Sequence, residues 1–148
     1  MLLINNDVAR QVLNMRDCIA AQEAAFAGLV TGHSVLRPRI NMYAPCERED
    51  GYYRASSVDA ASDGVFAVRI KSDIVTWPKH ADGSWTEQKY CMAPGTYCGL
   101  VMVFSTANGE PLAIIQDGYL QHMRVGGAAG LGTRLLARED SHVVGMLG

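Results

Sequence analysis

The chain lacks an excess of either charge, a long apolar run and any clustering of cysteines, and each absence removes a class of function. Thirteen Lys and Arg against fifteen Asp and Glu leave a net charge of −2. No basic stripe is present to neutralise phosphates, so nucleic acid is not an expected partner. No apolar stretch approaches the ~20 residues needed to cross a bilayer, so no membrane partner is expected. The N-terminus meets Asn5, Asn6 and Asp7 after a short apolar start, too early for the core of a secretory leader, and a cytoplasmic location is the expectation. The four cysteines, Cys18, Cys46, Cys91 and Cys98, form no C-x-x-C pair and have no histidine at zinc-ligand spacing. They read as free thiols, with no metal expected. Internal repeats and low-complexity segments are also missing. What remains, 148 residues of which 49% are hydrophobic and 19% charged, is enough for one domain with a sizeable core.

The patterning predicts a mixture of strands and helices. Leu2 to Ile4 reads as a short strand, and Asn5, Asn6 and Asp7 as helix-capping residues. Helical spacing continues to Thr31 with a break near Asn14, and Gly32 is placed to end the helix in the left-handed conformation. On that helix Ile19, Phe26, Leu29 and Val30 share an apolar side, with Gln22 and Glu23 opposite. The next stretch alternates: Leu36, Pro38, Ile40 and Met42 face one way, Arg37, Arg39, Asn41 and Tyr43 the other. Pro38 cannot donate to a ladder and marks an edge strand or a strand start. A second strand is expected from Tyr52 to Asp59. A third alternates Phe66, Val68, Ile70 and Ile74 with Arg69, Lys71 and Asp73. Residues 76–89 read as a loop, with Trp77 and Trp85 over a core edge. The continuous apolar run Gly99 to Phe104 predicts a strand buried on both faces. A turn at Ala107 to Gly109 leads into Pro111 to Gln116, and a helix then runs from Asp117 to about Ala137 with Leu120, Met123, Leu131 and Leu135 as its apolar stripe. HVVGMLG closes the sequence as a short apolar strand. This order is not strictly βαβ, so the fold class expected is α+β.

Four cations interrupt otherwise well-patterned elements: Arg39, Arg69, Lys71 and Arg124. Arginine grips a carboxylate through two parallel hydrogen bonds, so three arginines converging from separate elements would seat a small acid. The plainer alternative is that they decorate solvated faces. The last helix carries Gly126, Gly127, Gly130 and Gly132, each costing about 1 kcal/mol relative to alanine. Such a cost is tolerable where another helix, a sheet or a cofactor approaches closely.

The run NGEPLAIIQDGYLQHMRVGGAAGLGTRLLAREDSHVVGMLG, with the RPRI strand and the helix around Ala24, Phe26 and Gly32, resembles the ornithine cyclodeaminase/mu-crystallin family. The resemblance implies a substrate-binding and dimerisation domain over residues 1–137 and the start of an NAD(P)-binding Rossmann domain over 138–148. It implies NAD or NADP as cofactor, with Gly145 and Gly148 on the cofactor side. It also implies a homodimer and a small carboxylated amino or imino acid as ligand. Arg39, Arg69 and Arg124 match the family's substrate-side cationic positions. Arg69 stands where a lysine is usual, and Lys71, two residues on along the same strand, is the candidate to replace it in catalysis. Gln121 and Val125 replace two threonines flanking the helix arginine, and Leu100 replaces a third. The expected function is therefore the N-terminal part of an NAD(P)-dependent, ornithine cyclodeaminase-like enzyme, inactive and poorly soluble alone. The alternative is a non-catalytic accessory subunit or ligand-binding module.

Overall fold

A computed structural model describes residues 1–91 and 99–146. In chain order the elements are β1 (Leu2–Ile4), α1 (Asn6–Val12), α2 (Met15–Thr31), β2 (Val35–Pro45), β3 (Gly51–Ser62), β4 (Val65–Thr76), β5 (Gln88–Tyr90), β6 (Gly99–Ser105), β7 (Pro111–Gln116) and α3 (Asp117–Leu136). The strands form one mixed sheet in the order β1-β7-β6-β4-β3-β2, with β5 also paired to β4. Among the described strand pairs, β1 and β7 alone run parallel. The fold is α+β, one sheet with its helices gathered on one face.

Local chemistry accounts for the element boundaries. The Asn5 side chain accepts from the Val8 N–H at 2.9 Å and starts α1. Asn14 accepts from the Asp17 N–H at 3.0 Å and starts α2, which accounts for the break between the two helices. Gly32 ends α2 at φ +79°, a conformation costly for any residue with a Cβ. The start of α3 has no side-chain cap of its own. Asn6 supplies one from a distance: its Oδ1 accepts from the Tyr119 N–H at 2.9 Å, while its own N–H donates to Gln116 Oε1 at 3.2 Å. Asn6 is thus a buried brace between the starts of α1 and α3, a role that local spacing does not reveal.

The helix pair corrects the expected apolar side of α2. Phe26, Leu29 and Val30 are exposed, and the buried positions are the small residues Cys18 and Gly28. The reason lies across the interface, in the glycines of α3. A Cβ on Gly127 would stand 2.4 Å from Gln22 Nε2 and 3.1 Å from Cys18 Sγ; one on Gly130 would stand 3.5 Å from Ile19 Cδ1. The close approach predicted for this glycine run is therefore to α2, and Gln22 packs inward rather than facing away. Leu131 is buried in this contact, whereas Leu135 is exposed.

The strands bring further corrections. A register shift between Arg37 and Ile40 breaks the strict alternation of β2, so Leu36 and Arg39 fall on the same side. Pro38 lies within that bulge on the edge strand. Strand β6 is not buried on both faces: Leu100 is exposed and Met102 and Phe104 only half-buried, because helices cover one side of the sheet alone. Residues 141–146 form no strand, and Val143, Val144 and Met146 are exposed, with no neighbouring strand among the described residues to complete a ladder. Trp85 is likewise exposed rather than over a core edge. Cys18 is buried, Cys46 and Cys91 are half-buried, and Cys98 and Gly148 lie outside the described residues.

Candidate functional site

Cross-strand pairs place side chains on a common face, so the register decides which residues meet beneath the helices. Val58 pairs with Arg69, Arg69 with Val101 and Val101 with Ile115. This row lies under α3. Between sheet and helix is a cavity of about 580 Å³, lined by Leu36 and Arg39 of β2, Asp59 of β3, Arg69 of β4, and Asp117, Gln121 and Arg124 of α3, among others. Three cations selected from the sequence thus reach one cavity from three separate elements. Its floor includes Val58, Ala60, Ala67 and Val101, apolar surface that lowers the local dielectric and strengthens any ion pair formed above it.

Arg69 is the best-fixed of the three. Its Nε donates to Asp117 Oδ2 and its Nη2 to Gln121 Oε1, which leaves the Nη1 hydrogens for a ligand. Asp117 is the first residue of α3 and is 1% exposed. A carboxylate there is favoured by the helix dipole as well as by the guanidinium. Sequence reasoning does not select Gln121, which sits where a family threonine is common. The signal that could have found it is spacing: residues 117, 121 and 124 lie at i, i+4 and i+7 on one helix face. Arg39 is exposed and makes no hydrogen bond or ion pair among the described residues. His122 is exposed and does not line the cavity.

Lys71 is elsewhere. It lies on the same face of β4 as Arg69 but outside the cavity lining, with its Nζ 2.9 Å from Asp73 Oδ2. Asp73 also takes two bonds from Arg54, at 2.8 and 2.7 Å, and Arg54 reaches Glu87 at 3.5 Å. This buried network lies along the sheet beyond the cavity. Burial pushes the Asp73 carboxyl up, but hydrogen bonds from Arg54 and Lys71 outweigh it and hold the group below its ordinary value. Gly145 is in an irregular, exposed segment, and a Cβ there would meet nothing within 4 Å. Among the described residues no group of three or more His, Cys, Asp or Glu side chains could hold a metal ion. No described helix is long and apolar enough to cross a membrane.

Comparison with known proteins gives these features a context. A Delta(1)-pyrroline-2-carboxylate reductase of Bacillus cereus is 25% identical over 148 residues, covering 100% of this chain and 41% of that protein. An archaeal alanine dehydrogenase, solved as a dimer with bound NAD, matches with a TM-score of 0.70 at 24% identity, over 95% of this chain and 38% of that one. The Thermococcus litoralis Delta(1)-pyrroline-2-carboxylate reductase, solved with NADH and L-proline, matches with a TM-score of 0.65 at 23% identity, over 95% of this chain and 39% of that one. The chain therefore spans about 41% of the length of the curated relatives it matches. The model of the ornithine cyclodeaminase/mu-crystallin family matches residues 1–148, and the chain belongs to that family.

Proposed function

We propose that this chain supplies the carboxylate seat of an NAD(P)-dependent enzyme acting on a small amino or imino acid. The observation that carries the reading is the convergence of Arg39, Arg69 and Arg124 on one cavity. Arg69, oriented by Asp117 and Gln121, and Arg124, one turn further along α3, are placed to hold the α-carboxylate. Charge-assisted hydrogen bonds from guanidinium groups over an apolar floor are worth about 1.5–3 kcal/mol each. An arginine guanidinium does not serve as a base in a protein, so a residue of this type binds rather than transfers a proton. That favours reduction of an imino acid bound as its iminium form, where hydride addition removes no proton from the ligand, over a cyclisation that needs proton removal. Lys71 remains the candidate for a catalytic group only if ligand binding draws it away from Asp73.

The described residues do not fit a dinucleotide. A pyrophosphate cradle needs glycine where the backbone approaches closely, at the mouth of a helix. Residues 141–146 have neither a helix nor close packing, and Gly145 stands in open space. The nicotinamide part of the reaction is accordingly assigned to polypeptide corresponding to the remaining length of the relatives, and no step is routed through residues 138–148. The test is a nicotinamide absorbance assay on the protein at its native length, with Δ1-pyrroline-2-carboxylate and either NADH or NADPH. Arg124→Gln is expected to lower substrate affinity at least tenfold. An unchanged KM for that variant would remove the carboxylate seat from the reading.

The open face of the sheet is the proposed homodimer surface. Ile40 pairs with Ser57, Ser57 with Ile70 and Ile70 with Leu100, so these side chains share the face away from the helices. Ile40, Met42 and Ile70 are 55%, 57% and 41% exposed. Contiguous apolar surface of this kind marks an interaction site, and the archaeal alanine dehydrogenase is a dimer. Sedimentation equilibrium of the native-length protein is expected to give twice the chain mass, and Ile70→Asp to halve it. A wild-type protein that stays monomeric at micromolar concentration refutes the assignment.

A further inference from the structure

The sheet beneath the cavity presents two rows of side chains, and only one of them carries charge. The register shift in β2 sets Pro38 and Arg39 opposite Val58, which pairs with Arg69, which pairs with Val101. The next row on the same face is Leu36, Ala60, Ala67 and Val103, paired in that order across four strands. Leu36, Ala60 and Ala67 line the cavity together with Arg39 and Arg69. The rows lie two residues apart along the strands, roughly 7 Å.

The Ala60–Ala67 pair is what hollows out the second row. Alanine is depleted from strands, which more often carry β-branched or aromatic side chains at such positions. Side by side on neighbouring strands, two alanines leave a gap between Leu36 and Val103. The described side chains do not fill it: Ala60 is exposed and Ala67 half-buried, although both lie on the helix-covered face. Leu36 is 53% exposed beside them, and Leu120 of α3 adds apolar surface to the same cavity from the helix side.

A charged tail would find no counter-charge in this hollow. Asp59 and Asp117 are the carboxylates among the described residues bordering the cavity. Asp117 is held by Arg69 at the charged row. Asp59 stands opposite Arg37 and Val68 in the register, so its side chain lies with Arg37 on the open face of the sheet, away from the cavity. An ammonium placed over the alanines gives up water, and no polar side chain of that row replaces it. An aliphatic chain gains by the same move, about fourfold in affinity for each methylene buried.

From this we infer that the cavity takes an amino or imino acid with an aliphatic side chain longer than a methyl group, and that Ala60 and Ala67 set the size of that side chain. The α-carboxylate stays at the row of Arg69, and the side chain runs along the sheet over the two alanines. The inference rests on the carboxylate-seat reading above and adds the class of side chain to it. The distance between the rows is farther than the methyl of alanine reaches from its own carboxylate, so a ligand that small leaves the hollow empty.

L-Alanine, L-norvaline and L-ornithine share their carboxylate and α-amino groups and differ in what they would place in the hollow. Binding of each to the native-length protein is measured by calorimetry. L-Norvaline, two methylenes longer than L-alanine, is expected to bind about tenfold tighter, and L-ornithine roughly tenfold more weakly than L-norvaline. Ala67→Leu fills the hollow from β4 and is expected to cost L-norvaline about fivefold more affinity than it costs L-alanine. Ala60→Val, at an exposed position where valine suits a strand, should move the same ratio in the same direction, so the assignment does not depend on one variant folding. Equal binding of L-alanine and L-norvaline, L-ornithine binding as tightly as L-norvaline, or equal losses for L-alanine and L-norvaline in both variants overturns the aliphatic subsite. In any of those cases a loss of L-alanine binding in Arg124→Gln keeps the carboxylate seat. Failure of all three ligands to bind overturns both.

Discussion

Replacing Gly99 with alanine is expected to cost about 3 kcal/mol or more, a value built from backbone strain and overpacking. Gly99 opens β6 at φ +148°, a backbone conformation that L side chains rarely adopt. A Cβ at this position would stand 2.0 Å from the Ile70 carbonyl oxygen and 3.0 Å from the Lys71 Cα, both backbone atoms of β4. No side-chain rotation relieves such a contact; the two strands must separate. Gly99 pairs with Lys71, and two residues along β6, Val101 pairs with Arg69, so the separation would spread to the cavity floor. In a thermal melt the variant should fall by about 10 °C, since a chain of this size shifts roughly 2–4 °C per kcal/mol. Gly132→Ala is the control. Its Cβ meets nothing within 4 Å, and alanine is the better helix former by about 1 kcal/mol, so its midpoint should hold or rise. A Gly99→Ala protein that melts with the wild type would show that β4 and β6 are not packed as described.

Much of this framework is legible in the sequence because it depends on local chemistry. Asn5, Asn14 and Gly32 mark helix ends through hydrogen bonds and a backbone angle decided within a few residues. The glycine run in α3 announces a close neighbour, although only the fold identifies it as α2. The features that escape sequence reasoning depend on distant parts of the chain. Asn6 looks like one more cap of its own helix, yet it braces α3, more than a hundred residues away. The β2 bulge moves Arg39 to the cavity face, and nothing in the spacing of Leu36 to Tyr43 reports it.

Strand β4 shows the limit most clearly. Its alternation is plain in the sequence, but the usual inference from alternation, apolar side inward, is reversed. The polar residues Arg69, Lys71 and Asp73 lie toward the helices, with side chains 14%, 15% and 5% exposed, while Ile70 is open. The proposed carboxylate seat accounts for Arg69, the ion network of Arg54 for Lys71 and Asp73, and the proposed dimer surface for Ile70. Lys71 becomes a candidate for the site only by sharing a face with Arg69. Two residues of strand carry a side chain roughly 7 Å along, enough to leave the cavity and enter the ion network of Arg54 and Asp73.

That network sets the second large effect: Asp73→Asn is expected to cost about 3–5 kcal/mol at neutral pH, the range for removing one partner of a buried ion pair. Arg54 and Asp73 are 10% and 5% exposed, so neither can turn to water when the other is lost. The asparagine would face both Arg54 and Lys71 without a charge to balance either. The same pair governs the acid limb of stability. In the folded chain the Asp73 carboxyl lies below its ordinary value of 3.8, because the bonds from Arg54 and Lys71 overcome the opposing effect of burial. A folded value below the unfolded one means that the contribution is complete above about pH 5 and is lost as pH falls through the folded value. Glu87 adds in the same direction: burial pushes its carboxyl up, but Lys89 and Arg54 hold it lower. Melts of the wild type should therefore drop steeply between about pH 5 and pH 3. Those of Asp73→Asn should begin lower at pH 7 and fall less over the same interval. If the two proteins keep a constant separation at every pH, Asp73 is not the group that the acid limb reports. If they coincide at pH 7, the buried pair contributes nothing net, and hydrophobic packing around β3 and β4 is what holds this end of the sheet.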